Sequence, residues 1–273
     1  MKVFVLGAQS NIWTGFKSSK YFVETEYVEY SRVGSARKFD LTHLDGYSGA
    51  LNELSLAEKG DIVLFLAAIS KPDLCASDPL KSFSINCIAT ASLISTILKT
   101  RATVLFFSSD AVYEGNFGVV SEECQRFPKS VYGSQKYIIE EHFRSYSNFK
   151  ILRMSYVLGR EDFILKAFAA KKNIELFTNF YRNVIVEDDI YLLINKFIKC
   201  QEMFPSVLNA SGTQNLSKYD IAQIYEKKYG EIPFSGSLAP SSFFQNRTEK
   251  ISMESKNLEN ILNRQPTKIE EWI

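Results

Sequence analysis

Three residues in the middle of the chain have the types and spacing needed for proton transfer. Ser109 ends an apolar run, and Tyr132 and Lys136 follow it four positions apart. Residues at this spacing share one face of a helix, so the phenol and the ammonium are predicted to be neighbours.

The chemistry of that pair explains why it would matter. A free phenol, with a pKa of about 10, is a poor acid at neutral pH. Lowering it by ~3 pK units takes ~4 kcal/mol, roughly what one ammonium at about 4 Å provides in a medium of intermediate dielectric. We therefore expect Lys136 to make Tyr132 acidic, while Ser109 hydrogen bonds the substrate oxygen.

Elements that could position these residues alternate along the chain. Strands are predicted at Val3–Leu6, Glu26–Tyr30, Ile62–Ala67, Thr103–Phe107, Lys150–Met154, Asn183–Val186 and Val207–Ala210. Helices are predicted at Asn11–Lys20, Pro79–Leu98, Val131–Tyr146, Phe163–Ala170, Asp188–Lys199 and Lys218–Lys228. Several strands are apolar on both faces, as a covered parallel sheet requires. The expected fold class is α/β, a doubly wound, Rossmann-like parallel sheet with a small C-terminal substrate lobe.

The domain organisation follows from where this alternation loosens. Residues 1–160 are predicted to form a dinucleotide-binding core that carries the catalytic residues. Residues 161–273 are predicted to complete the sheet in part and to form the substrate-binding lobe in part. Within them, Phe234–Gln245 is rich in small and polar residues and is predicted to be a loop.

Composition narrows the function classes. The 32 basic and 31 acidic residues leave a net charge of +1, which gives no electrostatic reason to expect nucleic acid or an anionic membrane as partner. The four cysteines lack Cys-x-x-Cys spacing, so we expect reduced thiols in a cytoplasmic protein and no metal. The apolar run at the N-terminus is too short for a signal peptide or a membrane span.

A dinucleotide site is indicated at the end of the first strand. Gly7 stands where a tight turn towards a pyrophosphate needs glycine, whereas Ser10 and Trp13 occupy the next two glycine positions of the usual pattern. The second strand runs into Arg32, which suits the 2′-phosphate of NADP. Two alternatives stay open: Arg32 is a solvated loop charge, or Glu29 ends the strand in a register shifted by two and favours NAD.

Longer motifs add to these features. They comprise Leu66-Ala67-Ala68, Asp73, Asp78-Pro79, Asn86, Ser108 to Gly115, Glu122 six residues before Pro128, Tyr132-Gly-Ser-Gln-Lys136, Ile151 to Gly159, and Val186 to Asp189. With them the chain resembles the extended short-chain dehydrogenases/reductases, and most of all their dTDP-4-dehydrorhamnose reductase branch.

The resemblance implies roles for individual residues. Ser109, Tyr132 and Lys136 would be catalytic, Asp110 and Asn86 would lie near the substrate, and Asn86 would also support the active-site helix. The cofactor would be lined by Gly7, Ser10, Asn11, Ile12, Arg32, Asp40, Leu41, Ala67, Ala68, Ile69, Tyr132 and Lys136. Arg160, Arg182 and Arg247 are candidate partners of a pyrophosphate or, as the simpler alternative, surface charges. A homodimer is implied in the same way.

The implied activity is an NADPH-dependent reduction of a nucleotide-linked 4-keto sugar. No Asp-Glu pair follows Ser109, as a sugar-nucleotide dehydratase would require. The alternatives are an NAD-dependent nucleotide-sugar epimerase and a catalytically weak NAD(P)-binding regulatory protein, which the two missing glycines favour. A serine hydrolase is excluded because Gly-x-Ser-x-Gly is absent around Ser109.

Overall fold

The computed structural model describes residues 1–34 and 36–273. Its strands are β1 Lys2–Leu6, β2 Glu26–Ser31, β3 Arg37–Lys38, β4 Ile62–Phe65, β5 Thr103–Ser109, β6 Val119–Val120, β7 Phe149–Met154, β8 Tyr156–Leu158, β9 Ile174–Phe177, β10 Tyr181–Val186, β11 Val207–Ala210, β12 Gln214–Ser217, β13 Phe234–Ser237 and β14 Ser252–Met253. Its α-helices are α1 Asn11–Ser18, α2 Leu44–Leu54, α3 Pro72–Ser77, α4 Pro79–Phe83, α5 Thr90–Lys99, α6 Val131–Phe143, α7 Phe163–Ala169, α8 Glu187–Lys199, α9 Lys218–Tyr229, α10 Leu258–Leu262 and α11 Ile269–Trp272.

A seven-stranded sheet forms the centre of the molecule, in the order β11-β7-β5-β4-β1-β2-β3. Each neighbouring pair in it is parallel. The chain builds outward from β1 to β3 and then returns to β4 on the other side of β1. The crevice outside the carboxyl ends of β1 and β4 is therefore the place where a sheet of this kind binds ligands. The predicted doubly wound α/β fold is confirmed.

Apolar side chains cover both faces of this sheet. In β1, Phe4 and Leu6 face the side of α2, α5 and α6, whereas Val3 and Val5 face the side of α1, α8 and α10. This alternation follows from the two-residue period of a strand and explains why the run is apolar throughout. A third cluster, built on β8, β10, α7 and α9, forms the core of a smaller C-terminal lobe.

The structure contains a helix that sequence patterns missed. Helix α2 follows β3 and buries Tyr47, Ala50 and Leu54 against the sheet. Its first turn lacks a side-chain cap, because the N-cap residue His43 makes no side-chain bond to the helix. Two glycines, Gly46 and Gly49, weaken its intrinsic propensity further. Tertiary burial, rather than local signals, stabilises this helix.

The prediction that Phe234–Gln245 is a loop is wrong. The segment contains β13, which pairs in parallel with β9, and a 3₁₀ turn at Ser241–Phe244. Phe234 packs its ring against Phe168 and Tyr219. In its register with β9, each residue of β13 pairs with one about sixty positions earlier in the chain. Because the strand depends on this distant partner, the composition of the segment alone does not indicate a strand. Similarly, the predicted strand at residues 183–186 belongs to a separate sheet, β12-β10-β8.

The helix predicted at Pro79–Leu98 is continuous but irregular. Between α4 and α5 the chain widens into a π-helical segment, Ser84–Ala89. The stretch Pro79–Lys99 is long and apolar enough to cross a bilayer, yet half of its most apolar window is buried in the protein. A core helix that covers an apolar sheet has the same composition. Single π turns inside α-helices are frequent at functional sites.

The first helix shows how the chain tolerates Trp13 where other dinucleotide folds have glycine. Trp13 is fully buried and its ring packs against Phe16 and Tyr27. The close approach in this helix is made instead at Gly15, where a Cβ would lie 1.8 Å from the Tyr191 hydroxyl on α8. Tyr191 is itself buried and donates a hydrogen bond to Glu187.

We predict that Gly15→Ala destabilises the protein by about 1–3 kcal/mol, because the new methyl group displaces the buried Tyr191 ring. The matched control is Gly49→Ala in α2, where a Cβ meets no described atom within 4 Å. That control should stabilise the protein by up to about 1 kcal/mol through helix propensity. Denaturant unfolding measures both changes, and equal effects of the two substitutions would contradict the close contact between α1 and α8.

Candidate active site

Ser109 lies at the carboxyl end of β5, where the chain turns into a 3₁₀ segment, Asp110–Tyr113. Its hydroxyl accepts a hydrogen bond from the Ala111 amide at 3.2 Å and donates one to the Asp110 carboxylate at 3.0 Å. The serine caps the turn that follows it, so the position of its hydroxyl is fixed by backbone geometry.

The N-terminus of α6 is held against this turn. Ser130 caps the helix through the Gly133 amide, and its own amide donates to the Glu114 carboxylate at 2.7 Å. A Cβ at Gly133 would lie 2.5 Å from the Ala111 carbonyl oxygen, so only glycine allows this approach. The residue before it, Tyr132, is thereby brought next to the Ser109 turn.

The phenol of Tyr132 is nearly buried, in contact with Cys75 and Ala111. Burial raises its pKa above the ordinary value of a phenol, and the nearby Asp110 carboxylate raises it further. The neighbouring Ser109 hydroxyl lowers the pKa of Tyr132 but does not outweigh these two effects. The expectation that Lys136 makes this phenol acidic in the free protein is therefore wrong: Tyr132 stays protonated throughout the physiological range.

Lys136 lies one turn further along α6. Its Nζ is 5.8 Å from the centre of the Tyr132 ring and donates a hydrogen bond to the Phe107 carbonyl at 2.7 Å. Burial lowers the pKa of this ammonium to about 8, and the negative charge of Glu140 limits the fall. Desolvation thus raises the pKa of Tyr132 and lowers that of Lys136, and in both cases it favours the neutral form of the side chain.

Behind the site, the Glu140 carboxylate is fully buried and joins α6 to two strands. It accepts hydrogen bonds from the Ser108 hydroxyl at 2.5 Å and from the Arg153 Nη2 at 2.7 Å. Arg126 adds a third at 2.8 Å. Ser108 belongs to β5 and Arg153 to β7, so the helix that carries Tyr132 and Lys136 is tied to the middle of the sheet.

A cavity of about 710 Å³ opens at the carboxyl ends of β1, β2 and β4. Eight of the predicted cofactor residues line it: Gly7, Ser10, Arg32, Asp40, Leu41, Ala67, Ala68 and Ile69. Asn11 and Ile12 line a separate cavity of about 210 Å³. Ser109, Asp110, Tyr132 and Lys136 line neither cavity.

The larger cavity fits a dinucleotide at its glycine turn. Gly7 has a φ of +98°, and a Cβ there would lie 2.8 Å from the Ala67 amide nitrogen on the neighbouring strand. No other residue allows this turn without strain. Ser10 caps α1 through the Trp13 amide and also lines the cavity, so the N-terminus of α1, the end of a helix that favours anions, begins at the cavity wall.

The register of β2 excludes the alternative in which Glu29 ends the strand. Glu29 pairs with Val5 inside the sheet and forms an ion pair with Lys17, so it does not end the strand. Ser31 ends β2, and Arg32 lines the cavity. Four residues that the sequence patterns did not predict also line the cavity: Gln9, Val33, Lys71 and Lys81. No sequence motif indicates Gln9, because its side chain contributes through a contact made only in the fold: its Nε2 donates a hydrogen bond to the Val33 carbonyl at 2.7 Å.

Asn86 does not face a substrate. Its side chain is buried inside the π-helical segment and bonds to the backbone of Ile69 and to Gln135 of α6. The sequence also predicts that Asn86 supports the active-site helix, and its hydrogen bond to Gln135 agrees with that role. The assignment to substrate was wrong because a short polar side chain on a helix gives no indication of which neighbour it faces.

Two arginines of the C-terminal lobe face the Ser109 turn and the first turn of α3. Arg182 on β10 lies 3.6 Å from the Asp110 carboxylate, and Arg247 pairs with Asp73. Each guanidinium also lies over an aromatic ring, Phe180 for the first and Phe243 for the second. Burial lowers the pKa of Arg182, and the charge of Arg247 lowers it further. Arg160, by contrast, is largely exposed.

Comparisons with known proteins place this geometry in a family. Residues 1–242 match the family model described as the RmlD substrate binding domain. No curated protein sequence matches the chain significantly.

Solved structures agree with the family model in fold. A dTDP-4-dehydrorhamnose reductase from Bacillus anthracis in complex with NADP is 18% identical, with a TM-score of 0.80 over 99% of this chain and 96% of that one. MoeE5 in complex with UDP-glucuronic acid and NAD is 20% identical, with a TM-score of 0.81 over 99% and 96%. RMD from Pseudomonas aeruginosa complexed with NADPH is 16% identical, with a TM-score of 0.74 over 99% and 95%.

The match covers most of the chain, and the sheet order and the glycine turn agree with it. The chain belongs to the RmlD substrate-binding-domain family, the dTDP-4-dehydrorhamnose reductase-like branch of the extended short-chain dehydrogenases/reductases, which are NAD(P)-dependent oxidoreductases.

Proposed function

We propose that the protein is an NADPH-dependent reductase of a nucleotide-linked 4-keto sugar. The observation that carries the proposal is the convergence of Ser109, Tyr132 and Lys136 at the carboxyl end of β5. Ile69 packs against the cluster that contains Tyr132, and it also lines the cavity that has the glycine turn in its wall. When bound, NADPH supplies the hydride for the carbonyl carbon. The protein's own part is to orient the ketone and to deliver a proton to its oxygen.

Tyr132 suits a proton donor. Because its pKa is raised, the phenol carries its proton at every physiological pH. As hydride reaches the carbonyl carbon, negative charge develops on the substrate oxygen, and this oxygen becomes the base that takes the proton of Tyr132. Lys136 then acts on the phenolate left behind, not on the resting phenol, since one ammonium within a few ångströms stabilises a new negative charge. Ser109 would hold the substrate oxygen in line.

The substrate's diphosphate is assigned to Arg182 and Arg247. Both guanidiniums are largely shielded from water, and the charge of Arg247 lowers the pKa of Arg182, so a dianion between them would satisfy both. The rings of Phe180, Phe243 and Phe244 pack beside them and offer an apolar surface for a nucleoside. MoeE5, a relative in fold, carries UDP-sugars in its solved complexes.

The remaining assignments go with this function. Residues 1–160 would bind cofactor and carry the catalytic groups, and residues 161–273 would complete the sheet and bind the sugar nucleotide. We expect the enzyme to work in the cytoplasm and to form a homodimer. An epimerase is the second candidate, since MoeE5 carries NAD; tightly retained NAD without net consumption of reductant would favour it.

Tyr132→Phe tests the proton donor. We expect kcat to fall by about 10²–10⁴, the usual contribution of a general acid, with the affinity for NADPH changed less than about threefold. The assay is NADPH oxidation with a panel of nucleotide-linked 4-keto sugars. Tyr137→Phe on the same helix is the matched control and should keep full activity. Turnover that survives Tyr132→Phe would remove the proposed mechanism.

The pH profile tests Lys136. Because burial lowers its pKa to about 8, the ammonium is present below that pH and lost above it, so kcat should fall as pH rises through about 8. The fall cannot come from unfolding through this group, since a depressed lysine pKa makes folding more favourable between about 8 and 10.5. Circular dichroism at each pH checks the fold, and constant kcat up to pH 10 would refute the role of Lys136.

Arg32→Ala tests the choice of cofactor. If Arg32 binds the 2′-phosphate, the substitution should weaken NADPH binding roughly tenfold or more and leave NADH binding unchanged. Titration with reduced-nicotinamide fluorescence measures both affinities. Arg37→Ala is the control, because Arg37 pairs with Glu53 and does not line the cavity. Equal losses for NADPH and NADH would refute the preference for NADP.

A further inference from the structure

Gln135 lies between Tyr132 and Lys136 on α6, but its side chain points away from the chemistry that they perform. It is 2% exposed. Its Oε1 accepts a hydrogen bond from the Asn86 Nδ2 at 2.8 Å, and its Nε2 donates to the Ser82 hydroxyl at 2.8 Å. The proposed transfer of a proton from Tyr132 to the substrate requires neither hydrogen bond.

The Asn86 amide continues this connection to the cofactor cavity. Its Oδ1 accepts from the Ile69 amide at 2.8 Å and its Nδ2 donates to the Ile69 carbonyl at 3.0 Å. The side chain thus bonds both polar groups of one residue, as a neighbouring strand would. Ile69 in turn lines the large cavity. One neutral, buried chain of hydrogen bonds therefore runs from the cavity wall to the catalytic helix.

The other end of the Gln135 amide is anchored as firmly. Ser82 is fully buried, and its hydroxyl lies within hydrogen-bond distance of the Cys75 and Pro79 carbonyls at 3.2 and 3.1 Å. Gln135 is held from both sides by α4 and the π-helical segment. Because each group is shielded from water, a broken bond cannot be replaced by a solvent bond, and the geometry is rigid.

We propose that Gln135 is a positioning residue that couples the cofactor loop, residues 67–70, to the helix carrying Tyr132 and Lys136. The coupling fixes the distance between the cavity wall and the phenol, so that a cofactor bound in the cavity lies at a fixed distance from the proton donor. The consequence for catalysis rests on the proposed function, whereas the mechanical coupling can be measured in the free protein.

A residue that only stabilises the core makes a different prediction from a coupling residue. Loss of general stability raises amide exchange across the whole sheet. Loss of the coupling raises it locally at Ile69, which Gln135 does not touch, because Asn86 is no longer fixed. The location of the change, rather than its size, separates the two roles.

The experiment compares Gln135→Met, which keeps the volume and removes both hydrogen bonds, with wild type by hydrogen–deuterium exchange of the full chain. We expect residues 67–70 to exchange about tenfold faster, with α9 in the C-terminal lobe unchanged. With NADPH and a 4-keto sugar nucleotide, kcat should fall about tenfold while the NADPH affinity changes less than about threefold. Ser134→Ala, the neighbour on the same helix, is the control and should show neither effect.

Ser82→Ala provides a second route if Gln135→Met does not fold. It releases only one end of the glutamine amide and should change exchange at residues 67–70 in the same direction by a smaller factor. Unchanged exchange there in a folded variant, or a uniform rise across the sheet, overturns the coupling. Coupling seen in a protein that reduces no nucleotide-linked ketone would instead leave this inference standing and refute the proposed function.

Discussion

One buried carboxylate fixes the catalytic helix to the sheet. The Glu140 carboxylate accepts hydrogen bonds from Ser108 of β5, Arg153 of β7 and Arg126 of the loop before α6. No part of this side chain is exposed. Replacing one partner of such a network costs about 3–5 kcal/mol, because the remaining charge is left buried and unpaired. The same side chain limits the fall in the pKa of Lys136, so it contributes to both the position and the charge of the site.

Burial, more than pairing, sets the electrostatics of the site. It raises the pKa of Tyr132 and lowers that of Lys136, so the resting site contains a firmly protonated phenol and an ammonium that can lose its proton in mild alkali. This arrangement favours delivering a proton over removing one. The reduction that we propose uses that direction of transfer, and in it Lys136 would act only once a phenolate has formed.

The weakened glycine pattern has a structural explanation. Of the three positions of the pattern, Gly7 is the one at which a Cβ would meet the backbone of Ala67, and it is a glycine here. Ser10 replaces a glycine and caps the helix, while Trp13 fills an aromatic cluster with Phe16 and Tyr27. The requirement for a small residue on α1 has moved to Gly15, which faces Tyr191 of α8. Loss of two pattern glycines therefore does not remove the dinucleotide turn.

The sequence by itself determined the α/β class, most strands of the main sheet and the helix that bears Tyr132 and Lys136, because their signals are local: apolar runs, caps and a four-residue spacing. The tertiary structure alone decided four further features. Helix α2 and strand β13 form on partners distant in the chain, Asn86 faces Ile69 instead of a substrate, and Tyr132 is less acidic than its spacing from Lys136 implied. Each depends on which surfaces are buried together, and burial is a property of the folded chain that neighbouring residues cannot specify.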